Sequence, residues 1–364
     1  MITEHYTLNL GPQHPSTHGV LRFVVDMDGE TCVKADTRIG YLHRGIEKLL
    51  EDRTFHQGIP YTDRLDYLAG ISNNLTYCMA VEELAGIEVP LRAQYIRMIV
   101  AEMMRIASYM VGIGCYIMDL GAVSAVFYPF QQREYILDAF CEICGSRMTH
   151  NYIRIGGVAA DVNDKFFEKL RIFLDDFPKF LKMYHRLIDE NEIFHARTKG
   201  VGVISREQAI SYGLSGPNLR ASGIPYDLRK DKPYLQYGKY DFLVPAGKNG
   251  DCYDRYWIRM IEVEESYKLI KRFVEDLPEG EIMAKVPKVL KPEPGEAYVQ
   301  TENPKGILGC FVASDGTPNS YRTHFRRPSF CNIAIYDELF PGCKIADMVS
   351  IIGSFDIVLG EIDA

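Results

Sequence analysis

Apolar and polar residues alternate along Tyr6-Thr7-Leu8-Asn9-Leu10, then along Leu21 to Val25 and Thr31 to Lys34. A period of two predicts half-buried strands. Asp28-Gly29 between the last two segments predicts a tight hairpin turn, because such turns need positive φ. Between the first two strands runs Gly11-Pro12-Gln13-His14-Pro15-Ser16-Thr17-His18-Gly19, whose prolines and glycines exclude helix and regular strand. This stretch reads as a shaped loop carrying two imidazoles. From Ile46 onward the period becomes helical. Helices are expected over Ile46 to Gln57, Asp63 to Leu84, Leu91 to about Met118, Gln131 to Cys144, and Asp164 to Glu190 with a break at Pro178. In the third of these, Ile96, Ile99, Met103, Ile106 and Met110 form an apolar stripe, with Arg92, Arg97, Glu102 and Arg105 among them.

Glycine and proline punctuate Ala196 to Gly250, apart from a short helix opened by the capping box Ser205-Arg206-Glu207-Gln208. Tyr253 to Leu277 is again amphipathic, and Pro287 to Pro294 is a proline-rich connection. Gly306 to Phe325 predicts a hairpin around Asp315-Gly316, and Asp347 to Ala364 an apolar helical turn followed by Asp356. The expected class is α+β. Residues 1–45 form a β domain with the histidine loop, 46–280 a helical core, and 281–364 a β hairpin with a tail returning to that core.

Composition narrows the function. With 47% apolar and 25% charged residues the chain has material for a large core. A formal net charge of −8, without a basic face or arm, argues against nucleic acid as a partner. Nine scattered cysteines read as free thiols of a reducing compartment. Met1 to Leu10 lacks the pattern of a secretory signal, and the most apolar stretch, Ala107 to Val126, is broken by Asp119 and glycines. No dinucleotide fingerprint, phosphate loop or nucleophile elbow occurs. Cys141-Glu142-Ile143-Cys144 is a lone pair with no second pair to complete a metal site.

Several segments carry chemistry when read together. They are GPQHPSTHG at 11–19, Gly40-Tyr41-Leu42-His43-Arg44-Gly45, Tyr61-Thr62-Asp63-Arg64-Leu65-Asp66-Tyr67, His150-Asn151-Tyr152-Ile153-Arg154, Leu219-Arg220-Ala221-Ser222-Gly223 and Arg327-Pro328-Ser329-Phe330. In order and content they resemble the quinone-site large subunit family of complex I, the D-type component of NADH-quinone oxidoreductase, over nearly the whole chain. That family is related to the large subunits of NiFe hydrogenases. The resemblance implies a hydrogenase-like helical bundle with a small flanking β-sheet domain.

Hydrogenases of that lineage hold their metals with two pairs of cysteines. The matching positions here are Asp66, Ala69, Val358 and Glu361. Soft nickel–iron ligation needs thiolates, so no metal is expected, and the resemblance places a quinone headgroup in the vacated site. A quinone that takes two electrons needs proton donors for two carbonyl oxygens, and a phenol with an imidazole suits this. The family's residues in those roles fall on Tyr67 and His18, and its histidine-pairing aspartate falls on Asp119. Arg44 matches an arginine near the iron–sulfur cluster of a partner. His14 is expected to shape the loop, and Thr149 stands where relatives often have a histidine, with His150 following.

The implied partners are subunits B (the small iron–sulfur protein), C and I and the membrane arm, with the chain peripheral on the cytoplasmic side of the membrane. The implied function is quinone reduction coupled to proton translocation, in an oxidoreductase active only within its complex. The short link at Pro287 to Gly295 also resembles complexes in which a reduced deazaflavin or ferredoxin replaces NADH and a phenazine can replace the quinone. A scaffold that has lost catalysis and a true hydrogenase are the competing readings.

Overall fold

The computed structural model describes residues 5–13 and 19–364. The histidine loop, including His14 and His18, lies outside the described residues. Three antiparallel strands, β1 (His5–Leu10), β2 (Arg22–Asp28) and β3 (Thr31–Arg38), open the chain in the order β1-β2-β3. Gly29 makes the turn between β2 and β3 at φ 59°. Six helices follow: α1 (Ile46–Glu51), α2 (Phe55–Thr62), α3 (Gly70–Ala85), α4 (Leu91–Asp119), α5 (Phe127–Cys144) and α6 (Asp164–Ile188), with the two-residue strands β4 (Ile153–Arg154) and β5 (Gly157–Val158) between the last two. Short helices α7 (Glu192–Thr198), α8 (Arg206–Ser211), α9 (Pro217–Ala221) and α10 (Leu228–Asp231) lead to α11 (Cys252–Glu275). A second sheet, β6 (Gly295–Asn303), β7 (Gly306–Ser314) and β8 (Arg322–Arg326), is antiparallel in that order. The chain ends with α12 (Pro328–Ile333), α13 (Tyr336–Leu339), α14 (Ile345–Phe355) and α15 (Leu359–Ile362). The class is α+β, with helices dominant and small antiparallel sheets.

Helix α4 is the central rod. Its stripe residues Ile96, Ile99, Met103, Ile106 and Met110 are all buried, as are the charged residues among them. Each of those charges has a partner. Arg97 forks onto Glu82 at 2.9 and 2.6 Å, and Glu102 accepts from Arg229 at 3.0 Å, Ser266 and Tyr237. Buried charges persist only when paired in this way. Of the described helices, α4 alone is long and apolar enough to cross a membrane, and 89% of that window is buried within the protein.

Several expected helix limits differ, three of them for reasons the side chains show. The helix expected over Ile46 to Gln57 is two helices, because Thr54 starts a new one with a capping box on Gln57. The helix expected from Asp63 begins at Gly70, since the Asp66 side chain caps a turn instead. Helix α6 runs unbroken through Pro178. Proline there removes one N–H, which strips the Leu174 carbonyl of its helical donor. The Tyr267 hydroxyl of α11 supplies a replacement at 3.1 Å.

Candidate functional site

The turn from Asp63 to Ala69, between α2 and α3, is built by Asp66. Its carboxylate Oδ1 accepts from the Leu68 N–H at 2.9 Å, and its carbonyl accepts from Ala69 N–H at 3.0 Å and Asn73 Nδ2 at 2.9 Å. This local bonding competes with helix and holds the next residue, Tyr67, off any helix. The phenol of Tyr67 is half-buried.

The C-terminal segment is threaded against that turn. Asp356 to Ala364 is buried throughout, and Asp356 adopts the left-handed region at φ 54°. Asp363 accepts from the N–H groups of Gly40 and Leu42, both at 2.8 Å. Arg327 donates to the carbonyls of Ile362 and Ala364. Gly360 lies so close to the turn that a Cβ there would stand 2.7 Å from the Leu65 carbonyl oxygen and 3.0 Å from the Tyr67 ring.

Arg44 clamps the two pieces. One guanidinium nitrogen donates to the Arg64 carbonyl at 2.8 Å and the Gly360 carbonyl at 2.6 Å. It is half-buried beside Tyr67, and burial lowers its proton affinity while the phenol and Asp363 oppose that. The Tyr67 phenol is held above its ordinary value, by burial first and then by the Asp66 carboxylate, with Arg44 opposing. It therefore stays protonated over the neutral range.

Behind Tyr67 lies a buried charge cluster. Lys305, in the β6–β7 turn, forms an ion pair with Asp356, and Arg259 of α11 stands 3.8 Å from the same carboxylate oxygen. Gly112 of α4 makes room, for a Cβ there would meet Asp356 Oδ1 at 2.3 Å. Glu361, fully buried, accepts from the Ser329 N–H at 2.9 Å. Burial raises the carboxyls of Asp66 and Glu361 above the usual range; Lys305 opposes this for both, while Asp66 adds to it for Glu361 and Asp356 adds to it for Asp66. Asp66, Ala69, Val358 and Glu361, the four positions that the resemblance sets against hydrogenase thiolates, are all buried.

Asp119 is the last residue of α4 and is half-buried. Cys115, one turn earlier, lies within electrostatic reach of Asp119, Asp356 and Lys305, which places the end of α4 beside the charge cluster. Tyr67, Arg44 and the tail thus come together, through the Arg44 bond to the Gly360 carbonyl and the close approach of Gly360 to the Tyr67 ring, whereas Asp119 lies at the end of α4. His150 is buried edge-on against Phe140, with ring centroids 4.9 Å apart and both ring nitrogens without partners among the described residues. Burial drives it down to about 4, so it is a neutral imidazole. Thr149 and Asn151 beside it both have positive φ.

Known proteins match this chain. The family model described as the respiratory-chain NADH dehydrogenase 49 kDa subunit matches residues 119–294 and 288–364. The chain belongs to this family. The D-type NADH-quinone oxidoreductase component of Desulforamulus reducens is 55% identical over 362 residues, covering 100% of this chain and 99% of the relative. Those of Clostridium beijerinckii and Bacillus cytotoxicus are 54% and 50% identical, each over 99% of this chain. Like other members of the 49 kDa family, the chain is an oxidoreductase subunit of the NADH:quinone oxidoreductase type.

Sequence reasoning missed Lys305 and gave Ser329 no role. An Asn-Pro-Lys-Gly turn between strands ordinarily puts its lysine in solvent. Only the buried position of Asp356, 51 residues away, draws it inward. Among the described residues no group of three or more His, Cys, Asp or Glu could hold a metal. The thiol of Cys144 donates to backbone carbonyls at 3.1 and 3.4 Å, a packing role for that helix end.

Proposed function

We propose that this chain is the quinone-site subunit of a complex I-type respiratory dehydrogenase. It accepts electrons from an iron–sulfur cluster in a small partner subunit, and its side chains help reduce and protonate a quinone. The reduction is coupled to proton translocation in the membrane arm. Tyr67 and His18 hold the quinone headgroup and donate to its two carbonyl oxygens, Asp119 orients the imidazole, and Arg44 faces the partner's cluster as a fixed cation.

The observation that carries this reading is the state of Tyr67. Its ring is gripped by Gly360, its neighbours are a guanidinium and a buried carboxylate, and no hydrogen bond from a described residue engages its hydroxyl. A phenol kept neutral and unengaged, yet half-buried, is poised to bond an incoming carbonyl and give up its proton when that oxygen becomes basic. His18 lies outside the described residues, so its part rests on the loop motif and on the chemistry of two carbonyls.

Partners of the chain are subunits B, C and I and the membrane arm, on the cytoplasmic side of the membrane, and the burial of α4 within the protein supports a peripheral position. Large exposed apolar residues support burial against other subunits: Phe127 is 69% exposed, Val123 59% and Ile193 70%. Relatives of matching length carry NADH in their names, which favours NADH over a deazaflavin or ferredoxin as the ultimate donor.

The test is Tyr67→Phe in the purified complex. Quinone reductase turnover is expected to fall on the order of a hundredfold, while the donor still reduces the partner's cluster. Unchanged turnover in an assembled complex overturns the reading. Identification of the neighbouring subunits by mass spectrometry decides the donor.

A further inference from the structure

Asp66 and Glu361 are two carboxyl groups within the protein core, and neither is spent on structure alone. Asp66 is 1% exposed and Glu361 is 0% exposed. Asp66 uses Oδ1 to cap its turn and leaves Oδ2 without a partner; Glu361 uses Oε2 on Ser329 and leaves Oε1 without one. Two buried carboxylates with idle oxygens are costly if both are ionised. The charged groups that face them are few. Lys305 comes from the β6–β7 turn and Asp356 from the end of α14, and Asp356 in turn faces Arg259 of α11 and Cys115 of α4. The Lys305 ammonium is already paired with Asp356, and Arg259 stands 3.8 Å from the same Asp356 oxygen, so Lys305 is shared among three carboxyls while Arg259 serves Asp356. The pair also flanks Tyr67 on both sides of the contact: Asp66 precedes it in the chain, and Glu361 follows the Gly360 that touches its ring.

We propose that Asp66 and Glu361 share one proton and use it to reprotonate Tyr67 after each quinone reduction. This rests on the quinone-site reading above. Reduction of the quinone by electrons from the partner's cluster lets one carbonyl oxygen take the Tyr67 proton, leaving a phenolate. The shared proton passes from the carboxyl pair to that phenolate oxygen, over a bridging water where the gap requires one. Both carboxylates are then ionised beside Lys305, and a proton from solvent restores the pair. No electron enters the carboxyl groups, and one proton leaves them per phenolate neutralised. Asp66 and Glu361 are positioning residues, since they act through Tyr67 and not on the quinone. The raised proton affinity that burial confers on both carboxyls is consistent with a proton held there near neutral pH.

The experiment is Glu361→Gln in the whole purified complex, with Asp66→Asn as the second variant in case the first does not assemble. Glutamine keeps the size of the side chain and the acceptor for Ser329 but carries no exchangeable acid proton. Quinone turnover is followed against pH, together with redox-induced infrared difference spectra. The expected result is a fall in kcat of roughly tenfold with KM unchanged, and an alkaline limb of the pH profile that moves to lower pH because the remaining carboxyl no longer has a like charge beside it. A protonated-carboxyl band that responds to quinone reduction in the unmodified complex should shift in either variant and titrate with the displaced alkaline limb. A profile that is lowered equally at every pH, or a carboxyl band that is the same in all three complexes, overturns the proposal. If Tyr67→Phe leaves turnover intact, the quinone-site reading itself fails; if Tyr67→Phe is inactive while Glu361→Gln keeps the unmodified pH profile, only the shared proton fails.

Discussion

The ring of Tyr67 rests on the backbone of Gly360, with two ring carbons 3.0 Å from the place a Cβ would take. This contact joins the turn before α3 to the last residues of the chain, nearly three hundred positions away in sequence. Gly360→Ala would also press on the Leu65 carbonyl at 2.7 Å, a backbone atom that cannot swing aside. Overpacking of this kind costs about 1–3 kcal/mol. Tyr67 should be displaced, and quinone turnover should fall on the order of tenfold to a hundredfold with the complex still assembled. Steady-state kinetics on the purified complex check this; normal kinetics would mean the ring position is not critical.

Lys305→Met leaves Asp356 buried with only Arg259 at 3.8 Å. Breaking one side of a buried pair costs about 3–5 kcal/mol. The expected outcome is a lowered melting temperature or poor assembly. The double variant Lys305→Met with Asp356→Asn should recover much of the loss, since asparagine tolerates the left-handed backbone at φ 54° and carries no charge. Thermal unfolding of the three complexes in parallel provides the comparison.

Asp119 sits at the C-terminal end of a 29-residue helix, where the helix dipole disfavours a negative charge. Asp119→Asn keeps the size of the side chain and removes the charge that the proposed pairing with His18 uses. Quinone turnover is expected to fall roughly tenfold in an assembled complex. Unchanged turnover would remove Asp119 from the mechanism.

His185 bonds Asp189 at 2.6 Å and Glu264 at 3.0 Å, joining α6 to α11. Both carboxylates push its pKa up to about 9 from 6.5, against the effect of burial. A folded pKa above the unfolded one stabilises fully below the unfolded value and loses that contribution as pH rises through the folded value. The melting temperature of the unmodified complex should therefore exceed that of a His185→Gln complex most at about pH 6.5, and the difference should vanish above about pH 9. A difference that does not change with pH would show that the two ion pairs carry no net weight.

Much of the architecture was legible in local pattern. The strands at both ends, the hairpin at Asp28-Gly29 and the long helix with its Ile96 to Met110 stripe follow from periodicities of two and 3.6. Tyr67, Arg44 and the tail positions were legible as motifs, and the fold brings them into contact. Boundaries failed where a side chain out-competed the helix: Thr54 capping a new start, and Asp66 turning Asp63 to Ala69 into a loop. Pro178 failed in the other direction, because its missing hydrogen bond is made good by Tyr267 from another helix.

Periodicity and turn chemistry, acting over a few residues, were sufficient to dictate the elements and the class, and the motif order was sufficient to dictate the family. Neither could reveal that Lys305 is buried, that Glu361 reaches Ser329, or that Asp66 and Glu361 face a single shared ammonium. Those outcomes depend on partners 32 to 51 residues distant or farther. Burying a charge is unfavourable until its counter-charge arrives, so its fate is decided only when the tail from Asp356 to Ala364 closes over the turn that carries Tyr67.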